Sequence, residues 1–202
     1  MSIRTKLGLS LVALSLASTA FAADAPKPAR IRGDIVSLTG DTLTVHRKSG
    51  DTVKVTLKAD TPVAALKNIK LQDIKPGSFV GTAATTGTDG KLTATEVLVF
   101  PEAARGTGEG HYAWDLGPKS SMTNANVDQV VQGTSGRDLK LSYKGGNNSV
   151  TVPENVPVVT FAPATRDDLK AGKQVFVVAT PNGSDYAAQR VVVEKDGVKP
   201  PM

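Results

Sequence analysis

Short stretches of alternating polar and apolar residues recur along the chain and predict β-strands. In Thr42-Leu43-Thr44-Val45-His46 every second residue is apolar, which is the period of a strand with one buried face. The alternation returns at residues 52–57 after a turn that contains Gly50 and Asp51. Residues 63–74 have some helical character and end at Lys75-Pro76-Gly77. We therefore expect an all-β protein with little helix.

The strand pattern occurs twice. Asp60-Thr61-Pro62-Val63 returns as Asn155-Val156-Pro157-Val158, and Asp73-Ile74-Lys75-Pro76-Gly77 returns as Asp168-Leu169-Lys170-Ala171-Gly172, both 95 residues later. Several separate matches in the same order indicate a duplication. Each copy reads as three strands, a short helix or turn, and two further strands. In the second copy the turn falls near residues 165–169.

Three strands, a turn and two strands is the order of an OB-type barrel. We predict two tandem five-stranded OB-like barrels at residues 30–100 and 125–196, joined by a Gly- and aromatic-containing connector at 101–124 and followed by a tail at 197–202. A small open sandwich of the same strands is the alternative. At about 70 residues each barrel has a small core, so we expect the two to lean on each other or on the connector.

The first 22 residues resemble a cleavable signal peptide. Arg4 and Lys6 precede an apolar run at residues 7–17, and Ala20-Phe21-Ala22 places small residues at a cleavage position before Ala23. The alternative, a permanent anchor, needs a run of ~20 apolar residues, which is longer than this one. We expect a soluble periplasmic protein that begins with a disordered stretch at residues 23–29 and has no stable membrane insertion.

The net charge and the absence of cysteine limit the classes of partner that we expect. Without Arg4 and Lys6 the net charge falls from +5 to +3, spread along the chain, and aromatic residues are only 4% of it. That balance does not indicate nucleic-acid binding. The absence of cysteine excludes disulfides and thiol chemistry. We expect the partner to be an envelope protein, a polymer or a small ligand.

Three features of the chain resemble a family of exported bacterial OB-like domains of unknown function. They are the first hairpin, the Asp-(Ile/Leu)-Lys-x-Gly block and the pattern Gly-x-Leu-x-Ala-x-x-Val-x-Val from Gly90 to Val99. Members of this family often carry more than one copy. The resemblance implies this fold and secretion, and it brings no known activity or ligand residues. Some members carry a metal ABC transporter permease label, but a permease needs several membrane spans, and no segment after residue 22 approaches that length.

The connector is the stretch richest in residues that could bind a ligand, a partner or a metal. It contains the only tryptophan, Trp114, and one of two histidines, His111, beside Tyr112 and Asp115. One interpretation is a contact loop in which His111, Tyr112, Trp114 and Asp115 meet a ligand or partner. A second is a metal site of His111, Glu109 and Asp115, although closed sites usually need four ligands. A third is structural, with Trp114 packed between the barrels.

No catalytic motif stands out. Ser120 and Ser121 follow His111 but lack a Gly-x-Ser-x-Gly or Ser-x-x-Lys context. The glycines at 106, 108 and 110 lack both GxGxxG spacing and a Lys-Ser/Thr pair. We therefore expect a non-catalytic binding or scaffold module that uses no cofactor. The alternative function is a metal-handling envelope protein that uses the connector site.

Overall fold

The computed structural model describes residues 28–133 and 136–200, so the predicted signal peptide at 1–22 lies outside the described residues. The described chain is all-β, as predicted, and contains no α-helix. Its helical content is three single 3₁₀ turns at Leu71–Asp73, Glu102–Ala104 and Arg166–Asp168. The last of these confirms the turn expected near residues 165–169.

Thirteen strands are formed by the described residues. In chain order they are β1 (Ala29–Thr39), β2 (Thr42–Arg47), β3 (Thr52–Thr56), β4 (Val63–Asn68), β5 (Phe79–Thr86), β6 (Leu92–Val99), β7 (Gly110–Ala113), β8 (Ser120–Gly133), β9 (Gly136–Tyr143), β10 (Gly146–Pro153), β11 (Val158–Pro163), β12 (Gln174–Asn182) and β13 (Asp185–Val193).

The strand pairings close two five-stranded rings. Ring 1 runs β1–β2–β3–β13–β12 and back to β1. Ring 2 runs β8–β9–β10–β6–β5 and back to β8. In each ring one pair is parallel (β3 with β13, and β10 with β6) and the other four are antiparallel. Each ring encloses its own apolar core, in which residues such as Ile35, Val45 and Val177 or Val80, Leu139 and Val150 are fully buried.

Each ring takes strands from both of the stretches that the sequence predicts to be copies of a repeat. Ring 1 combines the first three strands of copy one with the last two of copy two, and ring 2 does the reverse. Each ring therefore has the strand order predicted for a barrel. Its five strands do not, however, come from one continuous stretch of the chain. The predicted division into residues 30–100 and 125–196 does not separate the rings, because β5 and β6 belong with β8, β9 and β10. Relative to the predicted arrangement, the last two strands of each predicted copy lie in the other ring.

Equivalent hydrogen bonds show that the rings are related by an approximate twofold symmetry. Gly172 N donates to Ile35 O in ring 1, and Gly77 N donates to Val127 O in ring 2, both at 2.8 Å. On the local axis β4 and β11 pair antiparallel, with Leu66 opposite its equivalent Phe161. β4 also pairs with β13, and β11 with β6, so these strands tie the rings together.

Two sequence expectations are corrected. Residues 63–68 form a strand, although alanine and leucine favour helix, because β4 has pairing partners on both edges. The stretch predicted as disordered at 23–29 ends in structure, since Ala29 pairs with Ala179. In the tail at 197–202, Val198 pairs with Lys195 and packs on the apolar cluster between the rings.

Candidate functional site

A cavity of about 370 Å³ lies between the rings on one side of the β4–β11 pair. Ring 1 contributes side chains from β1, β12 and β13, and ring 2 contributes them from β5, β6 and β8. The connector covers one side. We call this space the inter-ring cavity; its lining is Pro28, Arg30, Gly81, Ala83, Glu96, Leu98, Phe100, Thr107, Gly108, Tyr112, Trp114, Met122, Asn124, Phe161, Phe176, Val178, Arg190 and Val192.

The interior of the cavity is mostly apolar. Phe100 packs against Phe161, with ring centroids 6.0 Å apart, and Phe176 on β12 is 5% exposed. Both faces of β12 are apolar because its inner residues fill ring 1 and its outer residues meet the cavity and the cluster between the rings. A mostly apolar pocket with a few polar groups is typical of small-molecule sites, whose volumes are roughly 300–1,000 Å³.

Nine of the 24 residues of the predicted connector form strand, at 110–113 and 120–124, and this positions the aromatic residues. β7 pairs antiparallel with the start of β8, with Tyr112 opposite Met122 and His111 opposite Thr123. Successive side chains of a strand point to opposite faces. Tyr112 therefore faces the inter-ring cavity, whereas His111 faces the other way.

Trp114 lies on two arginines of ring 1. The guanidinium carbons of Arg30 and Arg32 lie 4.0 Å and 5.5 Å from the ring centroid of Trp114. Arg32 also donates from Nη1 to Asp115 Oδ2 at 2.8 Å. The connector, hydrogen-bonded to ring 2 through β7, thus reaches ring 1 by cation–π contacts and an ion pair. Trp114 is half-buried, in agreement with the structural interpretation, and it also lines the cavity.

Two arginines stand at the opening of the cavity. Arg30 on β1 and Arg190 on β13 flank Val178 on β12, since Val178 pairs with both. Their side chains are exposed, whereas Phe176 and Ala83 are buried, so the charges lie at the mouth and the apolar surface lies inside.

Tyr112 lines the cavity together with these arginines, and its pKa reflects both burial and charge. Burial raises the pKa of the Tyr112 hydroxyl, and the positive charges of Arg30 and Arg190 oppose that rise. Partial desolvation lowers the pKa of Arg190. Neither Arg30 nor Arg190 has a carboxylate partner among the described ion pairs.

Two buried polar side chains line the interior. Glu96 on β6 is 8% exposed, and Asn124 on β8 is 7% exposed. Asn124 Nδ2 donates to Thr107 O at 3.0 Å and lies 3.4 Å from the Tyr112 hydroxyl. Its Oδ1 is buried and has no hydrogen-bond partner among the described residues. A buried acceptor without a donor is costly, and it is a position at which a ligand donor is favoured.

The predicted contact residues thus divide into two groups. Tyr112 and Trp114 line the cavity, and Asp115 holds Arg32 beside it. His111 lies elsewhere: its Nδ1 is 2.8 Å from Thr123 Oγ1, and its ring stacks on Tyr143 with centroids 6.4 Å apart.

The predicted metal set is not assembled. Glu109 Oε1 accepts from the backbone N of Lys144 at 2.9 Å, and Asp115 is bound to Arg32. Among the described residues there is no group of three or more His, Cys, Asp or Glu side chains that could hold a metal ion. His111, Glu109 and Asp115 therefore do not form one site.

Sequence reasoning missed most of the cavity lining. Arg30, Glu96, Asn124 and Arg190 lie far apart in the chain and meet only because the copies exchange strands. One local signal was present: residues 175–178, Val-Phe-Val-Val, are continuously apolar, which is typical of a strand buried on both faces.

No protein-family model matches the chain, and no significant match is found among curated proteins or solved structures. The family resemblance therefore stays an expectation from the motifs. In residues 28–133 and 136–200 there is no helix with the length and hydropathy that a membrane crossing requires.

Proposed function

We propose that this protein is an exported, non-catalytic binding module whose ligand occupies the inter-ring cavity. The observation that carries the proposal is the cavity itself, an apolar space of about 370 Å³ with a half-buried tryptophan and tyrosine on its connector side. Its size favours a small molecule over a macromolecular partner. Export to the periplasm rests on the signal-peptide features of residues 1–22.

The strand order supports the finer assignment of OB-like barrels. Number the strands of a ring so that its three consecutive strands are 1, 2 and 3 and its remaining pair, in chain order, is 4 and 5. The order around each ring is then 1-2-3-5-4, with strands 3 and 5 parallel. A five-stranded Greek-key barrel of this kind is a frequent binding scaffold. In this chain the aromatic and charged groups gather between the rings, so the binding site we propose belongs to the pair of rings.

Binding can be tested with the neutral fluorescent probe N-phenyl-1-naphthylamine, since Trp114 is the only tryptophan and lines the cavity. We expect saturable probe fluorescence and energy transfer from Trp114. Ala83→Leu places a larger side chain in the cavity and should abolish binding. Thr85→Leu is the matched control, because Thr85 lies two residues along β5 on the same face but is exposed outside the cavity.

Retained binding in Ala83→Leu, with the fold intact by circular dichroism, would place the probe elsewhere and refute the proposed site. Absence of saturable binding to the unmodified protein would have the same meaning. Loss of binding in Thr85→Leu as well as Ala83→Leu would also count against the cavity, because that effect would belong to the whole strand.

A further inference from the structure

The charges at the mouth of the inter-ring cavity carry information about the ligand. We propose that the cavity takes a small organic anion, with an apolar, ring-sized body among Phe100, Phe161 and Phe176 and an acidic group held by Arg30 and Arg190 at the mouth. This inference rests on the proposed function, and it deepens that proposal by naming the chemical class of the ligand.

The first step is the geometry of the two arginines. Arg30, Val178 and Arg190 form one cross-strand row over β1, β12 and β13. Neighbouring strands are ~4.8 Å apart, so the two arginine backbones are separated by roughly 10 Å and project to one face. Long side chains at that spacing can close on a single carboxylate or sulfonate, for which the guanidinium fork is well suited.

The second step is that none of the described ion pairs includes either of these arginines. The described ion pairs give a carboxylate to Arg32, Arg47, Arg105 and Arg166, but none to Arg30 or Arg190. Tyr112 lines the same cavity as the two arginines. Two cations and a hydroxyl beside an apolar space form a ready site for an acidic group.

The third step concerns orientation. Glu96, an acidic side chain that is 8% exposed, lines the interior, whereas the two arginines lie at the mouth, so we place the acidic group of the ligand at the mouth. The apolar part of the ligand then enters between the phenylalanines. Asn124 Oδ1, buried and without a donor among the described residues, favours a ligand that also carries an N–H or O–H group.

A matched pair of probes tests the inference. 8-Anilino-1-naphthalenesulfonate has the same aryl amine body as N-phenyl-1-naphthylamine and adds one sulfonate. We expect the anionic probe to bind about tenfold more tightly, because a hydrogen bond to a charged group contributes about that much to an affinity. Arg190→Gln should reduce that preference, taken as the ratio of the two probe affinities in the same variant, to about threefold or less. Arg190→Lys should keep part of the preference, because the charge remains.

Arg137→Gln is the control for net charge, because Arg137 lies on β9 and does not line the cavity. It should leave both affinities unchanged. Arg30→Gln is a second test variant, and the neutral probe reports whether losing the contact of Arg30 with Trp114 has altered the cavity.

The outcomes separate the two proposals. Equal affinity for the two probes, or a preference that survives Arg190→Gln and Arg30→Gln, overturns the anion inference while the proposed function stands. A preference that falls equally in Arg137→Gln also overturns it, because the effect would then be one of net charge. Failure of both probes to bind overturns the proposed function itself.

Discussion

The two rings present equivalent faces to the inter-ring cavity, and these faces differ in a systematic way. Ring 1 has phenylalanine, valine and two arginines at four of these positions, whereas ring 2 has glycine, alanine, glutamate and methionine at the equivalent ones. The equivalent pairs, ring 1 first, are Arg30 and Met122, Phe176 and Gly81, Val178 and Ala83, and Arg190 and Glu96.

This asymmetry explains why there is a cavity. If both faces were lined as on ring 1, the phenylalanine and valine side chains would meet between the rings. Because ring 2 has Gly81 and Ala83 there, the space stays open, with Arg30 and Arg190 on the ring 1 side and Glu96 on the ring 2 side. The cores inside the rings are alike, so the two copies diverge where they line the cavity.

The largest effect is expected from separating the two copies. Residues 23–108 and 109–202, produced as two chains, should each be unfolded, because neither contains all five strands of a ring. Mixing them should restore folded protein, since both rings can then close. Circular dichroism and two-dimensional NMR of each fragment and of the mixture measure this.

A fragment that unfolds cooperatively by itself would contradict the strand exchange and favour one barrel per copy. The control is the intact chain cleaved at the same bond after folding. It should stay folded, because the cut lies in the connector before β7 and crosses no strand pair.

Much of the local structure was predictable, and the exchange was not. Alternation of polar and apolar residues locates strands such as β2 and β3 because each has one face in a core. Sequence similarity cannot say which ring a strand joins, since β5 and β12 are equivalent strands and either could close either ring. The choice depends on loop lengths and on the β4–β11 pair, and β4 itself was predicted to have helical character.

The candidate site was predictable only in part. Tyr112 and Trp114 attract attention because aromatic residues are rare in this chain and uncommon in linkers. Arg30 and Arg190 are two among 24 basic residues, and nothing in their local sequence marks them. Their role depends on a row of three strands drawn from both copies.

An intermediate effect is expected from making the ring 1 face resemble ring 2. Phe176→Ala should lower the free energy of unfolding by about 3 kcal/mol, because it removes a buried aromatic side chain between the rings. A change at the equivalent position of ring 2, Gly81→Ala, should lower the free energy of unfolding by only about 1 kcal/mol. A Cβ there would lie 2.7 Å from Asn124 Oδ1 and 3.1 Å from Phe100 Cε2, so these side chains must shift. Urea unfolding of both variants gives the comparison.

Equal costs for the two changes would mean that the faces are not differently packed. Val36→Ala serves as the control for truncation of a side chain, because Val36 is 50% exposed on β1, and it should change stability by at most about 0.5 kcal/mol.

The smallest effect concerns the hairpin turns, where the rings differ again. In ring 1 the β2–β3 turn contains Asp51, which accepts hydrogen bonds from Arg47 and Ser49; the equivalent β9–β10 turn, Lys144-Gly145, has no carboxylate. These bonds lower the pKa of Asp51 from 3.8 to about 2, with the Arg47 bond the larger cause. A carboxyl whose pKa is lowered by folding stabilises the folded state above pH 3.8. That contribution is lost as the pH falls towards 2.

NMR titration of the Asp51 carboxyl should therefore give an apparent pKa near 2, and the Arg47→Gln variant should raise it more than Ser49→Ala does. Relative to Asp51→Asn, the unmodified protein should lose stability between pH 4 and pH 2, because only the carboxylate gains a proton in that interval. The effect is small since the turn is exposed and its ion pair is screened by solvent. An Asp51 carboxyl that titrates near 3.8 would show that the two hairpins respond alike to acid, and the difference between the rings would then be confined to the cavity.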